Sequence, residues 1–234
     1  MNKLVIIPAR GGSKGLPNKN ILLLNNKPLI YYTLEVARQL FEDKYIYVST
    51  DSLKIKHLVE KTGLKVPFIR PKSLASDVSG MHEVLIHALN HFSSFNKEKI
   101  DVIILLQPTS PLRTVDHVKS AIKIYNKNLD MVVSVKKTDS NPYYNLFEED
   151  ENNFLKKIID SDFVTRQNCP EVWEYNGAIY IINVSSLKKQ KLHKMKKIKK
   201  YKMDKLSSVD IDDNFDFKFS EYLLNENCKD NSKN

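Results

Sequence analysis

A glycine-rich basic segment follows the first apolar run of the chain. Residues 8–20 read PARGGSKGLPNKN and contain three glycines and three cationic side chains. Glycine permits backbone conformations that aim several N–H groups at one anion, and Arg10, Lys14 and Lys19 add full charges that suit a polyphosphate. The spacing fits neither a Walker loop nor a GxGxxG fingerprint. The segment predicts a polyphosphate-binding loop of another type, with a flexible basic turn as the alternative.

Two aspartates near the other end of the chain, Asp210 and Asp212, are separated by one residue. Alternate residues of an extended segment share a face, and two carboxylates on one face can hold a divalent cation such as Mg²⁺ against a phosphate. Asp213 and Asp216 add negative charge that also suits the first turn of a helix. From these residues alone, the helix start is the favoured interpretation and metal binding the alternative.

The elements that must position these residues alternate between short apolar runs and longer amphipathic ones. Strands are predicted at residues 4–7, 45–48, 66–69, 101–106 and 131–135. Helices are predicted at residues 28–41, from a cap at 49–52 to about 61, at 84–92 and at 114–125. This βαβαβ order predicts an α/β domain around a mainly parallel central sheet flanked by helices, with ligands at the carboxyl ends of the strands.

The pattern changes after Asn141. Residues 141–173 are charged and rich in turn residues, which predicts an excursion from the sheet, such as a hairpin arm used in subunit contact. A strand is expected at 178–182 and an amphipathic helix near 214–224. We therefore expect one domain over residues 1–226 and a frayed tail over 227–234.

The basic excess of the chain is local. The net charge of the 234 residues is +9, and residues 188–202 contain nine lysines and no acid, so the rest of the chain sums to 9 − 9, or zero. This lysine tract is expected to be a solvated loop and helix edge, with a polyanion-binding patch as the alternative. Lysine predominates over arginine in this chain, whereas bidentate recognition of bases would favour arginine. A nucleic-acid partner is therefore not expected.

Other classes of protein are excluded by what the sequence lacks. No run of 18 apolar residues suggests a membrane span, and the N-terminal residues do not resemble a secretory signal. Two cysteines, Cys169 and Cys228, form neither a disulfide framework nor a zinc cage by themselves. A reducing, cytoplasmic setting is expected.

Several segments, in order, resemble those of the acylneuraminate cytidylyltransferases, also called CMP-sialic acid synthetases. The matching segments are IPARGGSKGLPNKN (7–20), STD (49–51), RP with LASD (70–71 and 74–77), LQPTSPLRT (106–114), NGAIY (176–180) and SVDID (208–212). The resemblance covers residue 3 to about 217. It implies a Rossmann-like nucleotidyltransferase fold and the transfer of CMP from CTP to the anomeric hydroxyl of a nine-carbon acidic sugar, with release of pyrophosphate.

The resemblance also implies roles for individual residues at the nucleotide. The triphosphate and nucleoside would be bound by residues of the glycine-rich loop and of one later segment, namely Arg10, Gly11, Gly12, Ser13, Lys14, Lys19, Asn20, Arg70 and Ser76. Asp210 and Asp212 would hold Mg²⁺ or Mn²⁺. Together with Arg10 and Lys19, these two aspartates would be the catalytic residues.

For the acceptor, the resemblance implies that Gln107, Arg166 and Tyr180 bind the sugar. It also implies a homodimer, in which Arg166 of the 141–173 arm acts in its own site or in that of the partner. Residues 141–145 read NPYYN, whereas relatives of the familiar type tend to carry a basic residue near here. N-acetylneuraminic, legionaminic and pseudaminic acid therefore all remain open as acceptors, and the aromatic segment favours legionaminic acid.

Two alternatives to this function are kept. One is another sugar nucleotidyltransferase, such as one that uses 3-deoxy-manno-octulosonic acid or a sugar phosphate. The other, from a different class, is a polyanion-binding protein that uses the lysine tract.

Overall fold

A six-stranded sheet forms the centre of the computed structural model, which describes residues 1–13, 15–75 and 80–231. The strands, including two hairpin pairs outside this sheet, are β1 (Lys3–Pro8), β2 (Leu23–Leu24), β3 (Lys27–Pro28), β4 (Ile46–Ser49), β5 (Val102–Leu106), β6 (Met131–Lys137), β7 (Phe147–Glu149), β8 (Leu155–Lys157), β9 (Trp173–Asn183) and β10 (Ile198–Lys202). The central sheet has the order β10–β6–β9–β5–β1–β4. Its strands are parallel except for β9, which pairs antiparallel with β5 and β6. The predicted mainly parallel sheet is confirmed.

Helices cover both faces of this sheet. They are α1 (Leu29–Arg38), α2 (Leu53–Glu60), α3 (Met81–Phe95), α4 (Val115–Ile124), α5 (Val184–Lys189) and α6 (Asn214–Asn231). Alternate residues of a strand point to opposite faces, so Val5 and Ile7 pack with α1, α2 and α4, whereas Leu4 and Ile6 pack with α3 and α5. The apolar runs of β1 and β5 are buried on both sides for this reason. The resulting Rossmann-like architecture agrees with the prediction.

The helix starts follow the predicted cap chemistry. The Ser52 hydroxyl accepts a hydrogen bond from the Ile55 amide, and Thr114 forms a capping box with His117. Such side-chain oxygens satisfy amides that have no partner inside the helix. Each cap fixes the loop before its helix, and both loops lie at the carboxyl end of a central strand.

The strand predicted at residues 66–69 is wrong. Residues 64–70 are extended, and their side chains alternate between buried and exposed, but they pair with no strand among the described residues. The alternation arises because Leu64, Val66 and Phe68 pack on the core beyond the edge strand β4. The next buried position of this alternating segment is Arg70, whose backbone amide donates to the Thr50 carbonyl at 2.7 Å.

The interpretation of the lysine tract is also corrected. Residues 188–197 contain the end of α5 and a loop, as expected, but residues 198–202 are β10, an edge strand of the central sheet. The ammonium groups of Lys200 and Lys202 lie 4.2 and 4.5 Å from the centre of the Trp173 ring. Lysines on an edge strand hinder pairing with other chains, and cation–π contacts hold their stems in place. The tract therefore has a structural role in the sheet.

The second half of the chain contains the predicted excursion. Residues 141–172 leave the sheet between β6 and β9 and include the β7–β8 hairpin. Helix α6 begins as expected but continues to Asn231, into the segment predicted to be frayed, and residues 232–234 lie outside the described part of the chain. Within the residues that the structure describes, no helix is both long and apolar enough to cross a membrane.

Candidate active site

A cleft of about 490 Å³ lies at the carboxyl ends of β1 and β5. Four segments provide its polar lining: the glycine-rich loop, the segment after residue 64, the β5–α4 loop and residues 208–213, which we call the acidic segment. The polar lining residues are Arg10, Ser13, Lys19, Asn20, Arg70, Gln107, Thr109 and Asp212. Sequentially distant residues meet here because β5, β1 and β4 are neighbours in the sheet. This is the place where ligands bind in open α/β sheets.

The start of the glycine-rich loop is fixed to the end of β4. The amide of Gly11 donates to the Asp51 carboxylate at 2.9 Å, and the Ala9 amide donates to the Ser49 carbonyl at 2.9 Å. A Cβ atom at Gly11 would lie only 2.9 Å from the Cβ of Ser52. The Gly11 amide is therefore used inside the protein, and Gly12 is exposed at the turn.

Lys19 and Asn20 connect the same loop to other walls of the cleft. Lys19 follows Asn18, which has a left-handed backbone (φ 56°), and its ammonium group donates to the Ile211 carbonyl and to Asp212 at 3.0 Å. The Asn20 amide nitrogen donates to the Arg10 carbonyl at 3.0 Å. Both side chains are buried. One lysine thus brings a positive charge to the acidic segment.

Arg70 is the most informative side chain of the cleft. It is only 4% exposed, and among the described residues its Nε and Nη2 have no hydrogen-bond partner. Among the described residues, the Asp51 carboxylate provides an opposite charge 3.6 Å from Nη2. Burial lowers the pKa of Arg70, and the negative charge of Asp51 opposes that shift. Buried donors without acceptors are costly, so this guanidinium is suited to an anionic or carbonyl ligand.

Asp210 and Gln107 approach each other across Gly177. This glycine has φ +72°, and a Cβ atom there would lie 2.8 Å from Oδ2 of Asp210 and 3.0 Å from Oε1 of Gln107. Both the left-handed backbone and the close approach require glycine. Burial raises the pKa of Asp210, and a hydrogen bond from the Thr109 side chain opposes that shift. Among the described residues, Oδ1 of Asp210 is buried without a hydrogen-bond partner.

A buried asparagine holds the acidic segment in place. The side-chain oxygen of Asn176 accepts from the Ser134 hydroxyl at 2.6 Å, and its nitrogen donates to the Ser208 hydroxyl at 2.9 Å. Ser134 belongs to β6, Asn176 to β9 and Ser208 to the segment that leads to Asp210. A satisfied buried network of this kind rigidifies its surroundings.

Arg113 supports the β5–α4 loop from within. It is buried and donates to the carbonyls of Gln107 (3.0 Å) and Ala178 (2.8 Å) and to the Thr33 hydroxyl (2.6 Å). Burial lowers the pKa of Arg113 to about 9, and the charge of Asp210 opposes that shift. The guanidinium remains charged at neutral pH and positions the backbone of Gln107.

The two aspartates are suited to a divalent cation. Asp210 offers a buried oxygen without a partner, and the side chain of Asp212 is 82% exposed. Both line one cavity, which adjoins the cleft through Asp212. No group of three or more potential ligands occurs within the described ranges. Two carboxylates completed by water and substrate phosphate are a typical site for Mg²⁺.

The remaining predicted residues are distributed as follows. Gln107 and Tyr180 line a second cavity, and burial raises the pKa of Tyr180 to about 12, so its hydroxyl stays protonated. Arg166 lines none of the cavities described here; its side chain is 49% exposed and pairs with Asp139 at 3.2 Å. Lys14 and Ser76 lie outside the described residues.

Sequence reasoning assigned no role to Asp51 or Thr109. Asp51 lies two residues after the end of β4, and a carboxylate near the end of a strand adjacent to β1 could have been recognised as a partner of the loop. Thr109 contacts the acidic segment, because the Ile211 amide donates to the Thr109 carbonyl at 2.8 Å. No local signal in the sequence reveals that contact.

Several known proteins are similar to this chain in sequence. The profile of a family described as "Cytidylyltransferase" matches residues 4–152. A CMP-N,N'-diacetyllegionaminic acid synthase of Legionella pneumophila is 33% identical over 228 residues, which are 97% of this chain and 98% of that protein. An N-acylneuraminate cytidylyltransferase of Escherichia coli is 37% identical over 221 residues, 93% of this chain, which spans about half (51%) of that protein's length.

The fold has a counterpart among solved structures. A CMP-2-keto-3-deoxy-manno-octonic acid synthetase in complex with CTP superposes with a TM-score of 0.71, covering 97% of this chain and 100% of that one. The two sequences are 17% identical, so the likeness concerns the fold alone.

Proposed function

Since this chain belongs to the cytidylyltransferase family of nucleotidyltransferases, we propose that it transfers CMP from CTP to the anomeric hydroxyl of a nonulosonic acid and releases pyrophosphate. The observation that carries the proposal is the buried guanidinium of Arg70, whose Nε and Nη2 have no hydrogen-bond partner among the described residues, in a cleft that also contains Arg10 and Lys19. These groups are suited to the phosphates or base of a nucleotide. The relatives named above act on acids of this class.

The cleft has two ends with different chemistry. Arg10, Ser13, Lys19 and the predicted Lys14 would hold the triphosphate, and Asn20 would lie near the ribose or cytosine. Gln107 lies at the other end and, with Tyr180, lines the adjoining second cavity, where their amide and hydroxyl groups can hydrogen bond to sugar hydroxyls. Catalysis then consists mainly of positioning two anions and spreading the charge at phosphorus.

The reaction forms one bond and breaks one. The anomeric oxygen of the acceptor attacks the α-phosphorus and loses its proton, and the bond to the pyrophosphate oxygen breaks. Arg10 and Lys19 stabilise the negative charge that accumulates on the phosphate oxygens. When bound, Mg²⁺ or Mn²⁺ would be held by Asp210 and Asp212 and would supply further positive charge at these oxygens. Asp210, fixed through Asn176 and Ser208, keeps its carboxylate beside Gln107.

We also propose a homodimer formed through the arm. The hairpin region exposes large apolar side chains, namely Phe147, Phe154, Leu155, Ile158 and Val164. An apolar surface of this kind is typical of a subunit contact. Arg166 lies at the base of the arm, away from its own cleft, and we propose that it reaches the partner's site. Arg166→Ala should then reduce turnover more than dimer formation, as sedimentation and rate measurements would show.

The cellular setting follows from the substrates. CTP is a metabolite of the cytoplasm, where we place the enzyme. The family match and the named relatives favour the cytidylyltransferase function over the polyanion-binding alternative.

The proposal is tested by pyrophosphate release. The purified protein is incubated with CTP, Mg²⁺ and a panel of nonulosonic acids, with ATP, GTP and UTP as controls. We expect release that requires both CTP and at least one acid. Folded protein that releases pyrophosphate with no member of the panel would contradict the proposal.

A further inference from the structure

The second cavity, of about 390 Å³, opens beside Gln107 on the face of the sheet that α3 and α5 cover. It shares Gln107 and Met81 with the cleft. Six of its lining side chains are apolar, namely Met81, Leu105, Met131, Leu192, Met195 and Ile198. Leu105 and Met131 are buried, whereas His193 is exposed, so the cavity reaches the surface. We call it the apolar pocket.

The polar groups of the apolar pocket are few. They are the amide of Gln107, the hydroxyls of Tyr175 and Tyr180, and the imidazole of His193. Among the described residues that line it, none is an aspartate, glutamate, lysine or arginine. The adjoining cleft, in contrast, is lined by three cations and a carboxylate, namely Arg10, Lys19, Arg70 and Asp212. The two cavities therefore suit different parts of one ligand.

This lining discriminates between methyl groups and hydroxyl groups. A hydroxyl pressed against the apolar side loses its water and gains no hydrogen-bond partner, which is unfavourable. A methyl group in the same place leaves water and packs. Three of the chain's five methionines line the pocket, and methionine adapts its shape to irregular apolar groups. The pocket is thus built for branched apolar substituents.

On the basis of the function proposed above, we infer that the apolar pocket binds the substituents of the acceptor acid and selects acids whose substituents end in methyl groups. Such an acid carries two N-acyl groups and a deoxy terminal carbon. The disfavoured class carries a trihydroxypropyl tail at the same end of the molecule. Gln107, which lines both cavities, and Tyr180 of the apolar pocket provide hydrogen bonds to the sugar ring, so the anomeric hydroxyl faces the nucleotide.

The wild-type protein tests this inference without any substitution. We compare kcat/KM for N,N'-diacetyllegionaminic acid with that for N-acetylneuraminic acid at saturating CTP. Apolar pockets reject an added hydroxyl or distinguish one methylene by about 10- to 200-fold, so we expect a preference of about 10²-fold for the diacetylated deoxy acid. Equal values, or a preference for the polyhydroxylated acid, would overturn the inference while the proposed function stands. Pyrophosphate release with neither of these acids but with another acid of the panel would overturn the inference alone, whereas release with no acid of the panel would contradict the proposed function as well.

Variants of Leu192 locate the selectivity. Leu192 is half-buried in a short turn, so Leu192→Asn adds a polar group to the pocket with little risk to the fold, and Leu192→Met is the matched apolar control. We expect Leu192→Asn to reduce the preference about tenfold, Leu192→Met to retain it, and CTP affinity and melting temperature to stay the same in both. An undiminished preference in Leu192→Asn would show that selection takes place elsewhere.

Discussion

The carboxylate of Asp51 lies 3.6 Å from the guanidinium of Arg70 and at the same time accepts a hydrogen bond from the Gly11 amide at 2.9 Å. One side chain at the end of β4 therefore holds the beginning of the glycine-rich loop and partly balances the buried cation of the cleft. This arrangement makes the stability of the ligand-free protein depend on the same charges that would bind CTP.

Asp51→Asn tests that dependence. The asparagine oxygen can still accept from Gly11, but Arg70 loses its balancing charge, so we expect unfolding to become easier by about 1–3 kcal/mol. CTP should restore more stability to the variant than to the wild type, because its phosphates supply the missing negative charge. Melting temperatures with and without CTP measure both effects.

The matched control is Asp43→Asn, which breaks the solvent-exposed pair with Arg38 (2.7 Å). Exposed pairs contribute about 0.2–1 kcal/mol, and CTP should not change that difference. If CTP raises the melting temperature of Asp51→Asn no more than that of this control, the role given to Asp51 is contradicted.

Arg70→Met should separate binding from stability. Removing one partner of a buried ion pair is destabilising, but Asp51 is 3.6 Å away and partly exposed, and Nε and Nη2 of Arg70 have no hydrogen-bond partner among the described residues. We therefore expect these effects to offset each other and the melting temperature without ligand to change little. Hydrogen bonds to charged groups contribute about 1.5–3 kcal/mol, so the Kd for CTP should rise by about 10- to 100-fold. Calorimetric titration with CTP, with Arg38→Met as control, decides; unchanged affinity would remove Arg70 from the nucleotide site.

Asp210→Asn should lower turnover and spare CTP affinity. Losing one interaction that stabilises the transition state typically costs about 10²–10³ in rate, whereas Arg10 and Lys19 bind ground and transition states alike. Asp212→Asn should behave similarly in kcat. Near-normal turnover in both variants, with a lowered melting temperature, would show that the aspartates only begin helix α6.

The pH dependence of stability gives a second readout for Asp210. Because burial raises its pKa, the native protein binds more protons than the unfolded chain between the ordinary value of 3.8 and the native pKa. The metal-free protein therefore loses stability as pH rises through that window. Asp210→Asn should lack this loss and be at least as stable as the wild type at neutral pH, as denaturant titrations at several pH values would show.

Gly15→Ala tests the contact between the glycine-rich loop and the acidic segment. A Cβ atom at Gly15 would lie 2.4 Å from the backbone carbonyl oxygen of Asp212, whereas at Gly12 nothing lies within 4 Å. We expect Gly15→Ala to cost about 1–3 kcal/mol of stability through overpacking and to slow turnover by displacing Asp212. For Gly12→Ala we expect a stability change within about 0.5 kcal/mol. Equal stability of the two variants would contradict the close approach.

The central strands could be predicted from local sequence, but the strands at the two edges of the sheet could not all be identified. β1 and β5 are buried on both faces and therefore read as continuous apolar runs. Residues 66–69 show the alternation of a strand because one side packs on the core, although no strand in the described part of the chain pairs with them. β10 was not predicted because its lysines obscure the apolar pattern typical of a strand. An edge strand tolerates such residues on its solvent side.

The same division holds for the site. Arg10, Lys19 and Gln107 line the cleft because the glycine-rich loop follows β1 and Gln107 directly follows β5, whose carboxyl ends meet. Their roles toward a ligand stay predictions. The contacts between Asp51 and Arg70 and between Gly177 and Asp210 depend on how the loops between distant segments fold. No local sequence pattern predicts that folding. The role of Arg166 depends on a second subunit and stays a prediction.

The most direct test of the account is the identity of the products. The protein is incubated with CTP, Mg²⁺ and N,N'-diacetyllegionaminic acid, and the reaction is followed by ³¹P NMR. The account predicts that CTP is converted into equal amounts of pyrophosphate and a CMP–sugar phosphodiester. Accumulation of free CMP or CDP without the diester, or unconsumed CTP in the presence of folded protein and each acid of the panel, would contradict it.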